Sequence, residues 1–112
     1  MAMNVRFSAP ARNDIIDILE WSAAKFGEAA RTRYEGLLDL AIRKISEEPT
    51  GHGAHERAEI SSDLWVLHLR AVEGGVVRDP RHIVFYRFDT TTVRIVRVLH
   101  EARELSAALL GQ

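Results

Sequence analysis

The sequence predicts an α+β layered fold: a helical hairpin packed on a small antiparallel sheet, in the order β-α-α-β-β-β with a short C-terminal helix. Three observations carry this. Two amphipathic stretches of helical period lie either side of Gly27 with almost no connection between them. Residues 64–69 form a near-continuous apolar run. Further on, Ile83-Val84-Phe85-Tyr86 and the run 93–99 flank the polar tip Asp89-Thr90-Thr91-Thr92, with the β-branched and aromatic enrichment of a hairpin. Helices that fold back on each other and strands joined by hairpins stack as two layers.

Val5-Arg6-Phe7 alternates and is a first strand. Ser8 serves as N-cap for the helix that follows, and Pro10 fits its first turn, where a missing N–H does no harm. Ala11, Ile15, Ile18, Leu19, Ser22 and Phe26 then fall on one helical face, with Asp14, Asp17 and Glu20 off its centre. Gly27 breaks the helix, and a second one follows at once. Ala30, Tyr34, Leu37, Leu38, Ala41 and Ile45 form its stripe, and Pro49 ends it. So short a link forces an antiparallel pair. Ile16, Trp21, Leu40 and Ile42 lie off both stripes and mark a wide buried face or a partner-binding surface.

Residues 50–63 are polar, carry two glycines, and are expected to be a loop. The run 64–69 is a strand covered on both faces, or one whose second face meets a partner. By alternation Trp65, Leu67 and Leu69 face the helices, while Leu64, Val66, His68 and Arg70 face away. Residues 71–80, with Gly74-Gly75 and Asp79-Pro80, form a long, mobile hairpin connection. Tyr86 is expected to be a buried, hydrogen-bonded phenol. Residues 101–110, with Leu105 and Leu109 one turn apart, form the final helix.

A chain of 112 residues supports one domain, here 1–112. Without cysteine, disulfides and thiolate zinc sites are excluded. No apolar stretch approaches the roughly 20 residues that span a bilayer, and the N-terminus lacks the features of a signal peptide, so a cytoplasmic protein without membrane contact is expected. The formal net charge of −1 argues against nucleic-acid binding by bulk charge. The charge is uneven, however. Residues 1–63 hold eight Lys/Arg against eleven acids, and residues 64–112 hold seven Arg against five. Those arginines are either solvated surface residues or a modest surface for an acidic partner.

Motifs for small-molecule chemistry are lacking. Gly74-Gly75 has neither the spacing nor the following helix of a phosphate-binding loop, and no nucleophile elbow occurs. His52 and His55 form an HxxH without identifiable further ligands. Neither a cofactor nor a metal is expected.

The segment His82 to Arg103, HIVFYRFDTTTVRIVRVLHEAR, resembles the C-terminal half of the ParE/RelE toxin superfamily, and its ParE branch above all. Ser8-Ala9-Pro10-Ala11, the Phe26-Gly27 junction and Arg57-Ala58-Glu59-Ile60 extend the resemblance over nearly the whole chain, residues 71–80 being longer than the family's usual turn. The resemblance implies a RelE/ParE-like fold and the toxin of a type II toxin–antitoxin module. It further implies a protein that blocks DNA gyrase by binding, is neutralised by a ParD-like antitoxin in a hetero-oligomer, and leaves sequence-specific DNA binding to that antitoxin. On this reading Ile16, Trp21, Leu40 and Ile42, with Arg70, Arg87, Arg97, His100 and Arg103, are candidate contacts for antitoxin or target.

Two alternatives remain. The ribonuclease branch cleaves RNA with a base, an acid and phosphate-binding cations, roles open here to His68, His100 and Arg103. Against it, Glu101 stands where those relatives carry a catalytic arginine, and Ala107 where they carry a late tyrosine. A non-toxic member that only binds antitoxin and regulates its promoter is the other.

Overall fold

A computed structural model describes residues 2–103. The elements run β1 (Asn4–Phe7), α1 (Ala9–Phe26), α2 (Glu28–Glu47), β2 (Ala54–Glu56), β3 (Trp65–His68), β4 (His82–Phe88) and β5 (Thr92–His100), with one short 3-10 turn at Leu69–Ala71. The expected final helix lies, from residue 104 on, outside the described residues, as does Ala107. Glu101, Ala102 and Arg103 form a turn after β5.

The helices pack as the antiparallel hairpin that the periodicity predicts, against a five-stranded sheet of order β1-β5-β4-β3-β2. Two features of the sheet differ from expectation. It is mixed, because β1 pairs parallel with β5, Val5 opposite Val93 and Phe7 opposite Ile95. It also gains β2 from a stretch expected to be loop. That strand has only three residues, too few to show an alternation, and it is held by pairing with β3. His55 lies in it opposite Val66, and His52 in the turn before it.

Ser8 caps α1 as expected, its Oγ accepting the Ala11 N–H at 3.0 Å while its hydroxyl donates to the Val96 carbonyl at 2.7 Å. Gly27 joins the helices with φ +94°, a conformation that costs residues bearing a Cβ, and its N–H closes α1 on the Ala23 carbonyl. Pairing of β4 with β5 shifts register between Phe85 and Tyr86, leaving Val96 as the extra residue of a bulge.

Both faces of the sheet are covered. Leu67, Leu69, Val84, Tyr86, Val93, Ile95 and Val98 meet Ile18, Leu19, Leu37, Leu38 and Ile45 on the helix side. On the other face Leu64, Val66, Phe85, Val96 and Leu99 form a second cluster under Ile60 and Ile83. The alternation read along 64–70 therefore holds. Residues 72–75 lie against α2: Val72 enters the core, and a Cβ on Gly75 would sit 2.6 Å from Leu37 Cδ1. This packing covers Leu40, which is half-buried against the core, as is Ile42. Phe26 goes the other way. Placed on the buried stripe by spacing, it is 62% exposed, because α1 ends there and no described residue buries its last turn.

Tyr86 is fully buried, and its hydroxyl donates to the Pro49 carbonyl, tying the end of α2 to β4. Burial pushes its phenol pKa well above the ordinary value. Tyr86→Phe leaves that carbonyl without its donor and is expected to lower unfolding stability by about 1–2 kcal/mol in urea titrations. A loss below about 0.5 kcal/mol would show that solvent replaces the phenol.

Candidate functional site

A groove of about 400 Å³ opens where the helical hairpin turns over the ends of β4 and β5. Trp21, Phe26, Ala30 and Tyr34 supply its helical wall, Val77 and Pro80 its loop wall, and His82 and His100 its floor. Arg33, Arg78 and Arg81 stand among the lining residues. Trp21 is 55% exposed and meets Phe26 edge to face at 5.6 Å, with the Lys25 ammonium 6.0 Å from the indole. Exposed aromatics gathered at a concave site are the usual anchors of protein recognition.

The floor is a hydrogen-bonded cluster. The Tyr34 hydroxyl lies 2.6 Å from His82 Nδ1, within hydrogen-bond distance, and burial raises the Tyr34 pKa to about 12, so the phenol keeps its proton. Burial, with the nearby His100 and His68 charges, lowers the His82 pKa to about 4, and the imidazole is neutral at pH 7. His100 meets His82 edge to face at 5.3 Å. Its Nδ1 accepts the Ala102 N–H at 3.0 Å, which leaves Nε2 as an N–H donor.

His68 and Arg70 belong to a second constellation. The His68 Nδ1 accepts the Arg70 N–H at 3.0 Å, so its Nε2 carries the proton and donates to Glu101 Oε1 at 2.7 Å. Arg70 and Arg81 reach the same carboxylate at 3.1 and 2.9 Å, and both also pair with Asp79. Glu101 N–H meanwhile donates to the Arg81 carbonyl at 2.8 Å. The network clips residues 79–81 and the turn after β5 to the end of β3. Hydrogen bonds from His68 and Arg81, then the Arg70 and Arg81 charges, lower the Glu101 pKa from 4.5 to about 2.

A depressed carboxylate pKa means stability that is complete above the unfolded value and lost as pH falls through the folded one. The clip is therefore intact at neutral pH and fails between pH 4.5 and about 2. The melting temperature of Glu101→Gln is expected to lie below that of the native chain at pH 7, with the gap closing as pH falls through this window. A gap independent of pH would show that the carboxylate charge is not what holds the clip.

The residues proposed from sequence for RNA cleavage are not assembled into one site. His68 pairs with Ile83 on the face turned away from the helices, whereas His100 pairs with His82 on the helix side. Both histidines have a nitrogen lone pair engaged by a backbone N–H. Arg103 is exposed, its N–H bonded to the His100 carbonyl. Of the arginines, Arg97 lies at the free edge of β5 and grips Asp14 through Nε and Nη2 at 2.7 and 2.8 Å. Arg87 holds Ser61 Oγ and the Ser62 carbonyl, fastening the loop over the second cluster. Ile16 is exposed on α1 and takes no part in lining the groove, which of the four off-stripe residues holds only Trp21.

Sequence reasoning did not identify Asp14, Tyr34, Asp79, His82 or Glu101 as builders of these sites. Asp14 and Arg97 are 83 residues apart, and Tyr34 and His82 are 48 apart. No local spacing signals such a pair. Among the described residues no group of His, Cys, Asp and Glu has metal-binding geometry, and no helix is long and apolar enough to cross a membrane.

Comparison with known proteins matches this architecture. The family model for the ParE toxin of the type II toxin–antitoxin system parDE covers residues 5–105. Toxin ParE1 of Caulobacter vibrioides is 31% identical over 104 residues, which span 93% of this chain and 95% of that protein. In fold, the chain is similar to a chain of the chromosomal ParDE system of P. aeruginosa (TM-score 0.66, 12% identity, 88% of this chain and 96% of that one). It is also similar to a chain of the RelBE2 toxin–antitoxin complex of Mycobacterium tuberculosis (TM-score 0.54, 24% identity, 89% and 99%). The β-α-α-β-β-β-β order on a mixed sheet, and a sequence match across almost its full length, place this chain in the ParE toxin family of type II toxin–antitoxin systems, within the ParE/RelE superfamily.

Proposed function

We propose that this chain is a cytoplasmic ParE-like toxin that inhibits DNA gyrase by binding it, blocks replication, and is neutralised by a ParD-like antitoxin. The observation that carries the binding reading is Glu101. By the resemblance it stands where the ribonuclease branch carries a catalytic arginine, and here it accepts the His68 Nε2–H and pairs with the Arg70 and Arg81 guanidinium groups. An anion there opposes the charge that RNA cleavage must bind.

The groove beside Trp21 and Phe26 is the proposed seat of the antitoxin. An amphipathic segment that orders on binding suits an apolar concavity with a basic rim. The antitoxin, not this chain, supplies sequence-specific DNA binding, and the complex is a hetero-oligomer.

Pulse-labelling of DNA, RNA and protein synthesis after expression of this chain alone in bacteria tests the reading. An early fall in DNA synthesis, with inhibition of supercoiling by purified gyrase, is expected. An early fall in protein synthesis would overturn it in favour of RNA cleavage. Unimpaired growth alongside a stable antitoxin complex would identify a non-toxic regulatory member.

A further inference from the structure

At the opposite end of β4 and β5 from the groove, the sheet carries a feature that neither gyrase inhibition nor antitoxin capture by the groove explains. Arg6 pairs with Arg94 across β1 and β5, and Arg94 pairs with Arg87 across β5 and β4. Residues directly opposite each other project from the same face, so three guanidinium groups stand side by side on adjacent strands. Their sequence neighbours Val5, Phe7, Val93, Ile95, Tyr86 and Phe88 point into the helix-side core, which puts the row on the other face. Like charges set opposite one another destabilise a sheet.

The row is only partly compensated, by the charge of Asp89 near Arg94. Neither Arg6 nor Arg94 has a carboxylate at salt-bridge distance among the described residues. Both are exposed, and the three arginines line one shallow, largely polar depression of about 270 Å³ with Phe88, Asp89 and Thr92. Asp89 is already bound to the hairpin tip, its Oδ1 accepting the Thr91 and Thr92 N–H groups at 2.9 Å each. Arg87 is held in place by Ser61 and Ser62.

We propose that the Arg6–Arg94–Arg87 row is a docking site for an acidic, extended segment of a partner protein. Guanidinium groups take carboxylates in a two-point fork. Strands lie about 4.8 Å apart, so the row spans roughly 10 Å. An extended peptide with an acid at every second residue presents same-face carboxylates about 7 Å apart, so two of them fit within that span. A single nucleic-acid strand would instead want exposed aromatic rings for its bases. Phe88, the aromatic that lines the depression, packs its ring on Tyr86 against the helix-side core instead of standing free for a base, and the net charge of −1 gives no general attraction for polyanions. The proposal goes beyond the reading of the groove and does not depend on which synthesis the toxin arrests.

The test uses the full chain, a fluorescent alternating Glu-Ser peptide of about twelve residues, and an oligothymidylate of equal length, with anisotropy read at low salt. The peptide is expected to bind more tightly than the oligonucleotide. Arg6→Glu with Arg94→Glu should weaken it by about tenfold or more, since two exposed charge pairs become repulsive contacts. Arg6→Gln with Arg94→Gln gives an intermediate loss and guards against a fold defect in the reversed variant. Arg94→Thr is expected to raise the melting temperature while weakening the peptide, the sign of a row kept at the expense of the sheet. Tighter binding of the oligonucleotide, absence of peptide binding, or peptide binding unmoved by these substitutions would each overturn the proposal.

Discussion

Asp14→Ala is expected to cost about 3 kcal/mol of unfolding free energy, the low end for breaking a desolvated ion pair by removing one partner. The reason lies in where β1 stops. Its pairing with β5 ends at Phe7 opposite Ile95, yet β5 continues to His100. Beyond that point α1 takes over the strand's edge. Ser8 accounts for the Val96 carbonyl, and Asp14 Oδ2 accepts the Val98 N–H at 3.0 Å while both its oxygens hold Arg97.

Both side chains of this pair are only 13% exposed. Removing the carboxylate takes an acceptor from the Arg97 guanidinium and from the Val98 backbone N–H together, and the hydrogen bond that Arg97 donates to Asp14 is what raises the Arg97 pKa above its ordinary value. Urea unfolding would report the loss as a lower midpoint at unchanged slope. Asp14→Asn, which keeps an acceptor, should lose less. A double-mutant cycle with Arg97→Ala would show strong coupling if the pair acts as one unit. A loss below about 0.5 kcal/mol would reduce it to an ordinary surface ion pair.

Trp21→Ala is expected to weaken the cognate antitoxin by at least about 30-fold, the effect of losing a central aromatic anchor worth about 2 kcal/mol. Stability should stay within about 0.5 kcal/mol, because the indole is more than half exposed and contributes little to the core. Titration calorimetry with the antitoxin would read the first, and thermal unfolding the second. Unchanged affinity would move the antitoxin's main contact away from the groove. Ile16→Ala, on the same helix but not lining the groove, is the matched control.

Where the determinants were local, the sequence alone was enough. The two helical stripes, the Ser8 cap, the Gly27 break and the alternation through Trp65 and Leu67 each depend on neighbours within a turn or a few strand residues, and each appears in the structure. The β4–β5 hairpin is legible for the same reason. The misplacement of Phe26 and the coverage of Leu40 mark the limit of that logic. Spacing tells which side of a helix is apolar, not where the sheet beneath it ends or which loop folds over it.

Only the tertiary structure decided the chemistry. The β5 bulge leaves Arg97 at the strand edge toward Asp14, the register puts His68 and His100 on opposite faces, and the end of β3 brings His68 and Arg70 to Glu101. It also aligned Arg6 with Arg94 and Arg87 from three separate segments. An arginine or histidine reads the same in sequence whether it faces a carboxylate, another cation or open solvent. Its partner comes from a distant part of the chain, and the partner sets both its charge state and its use.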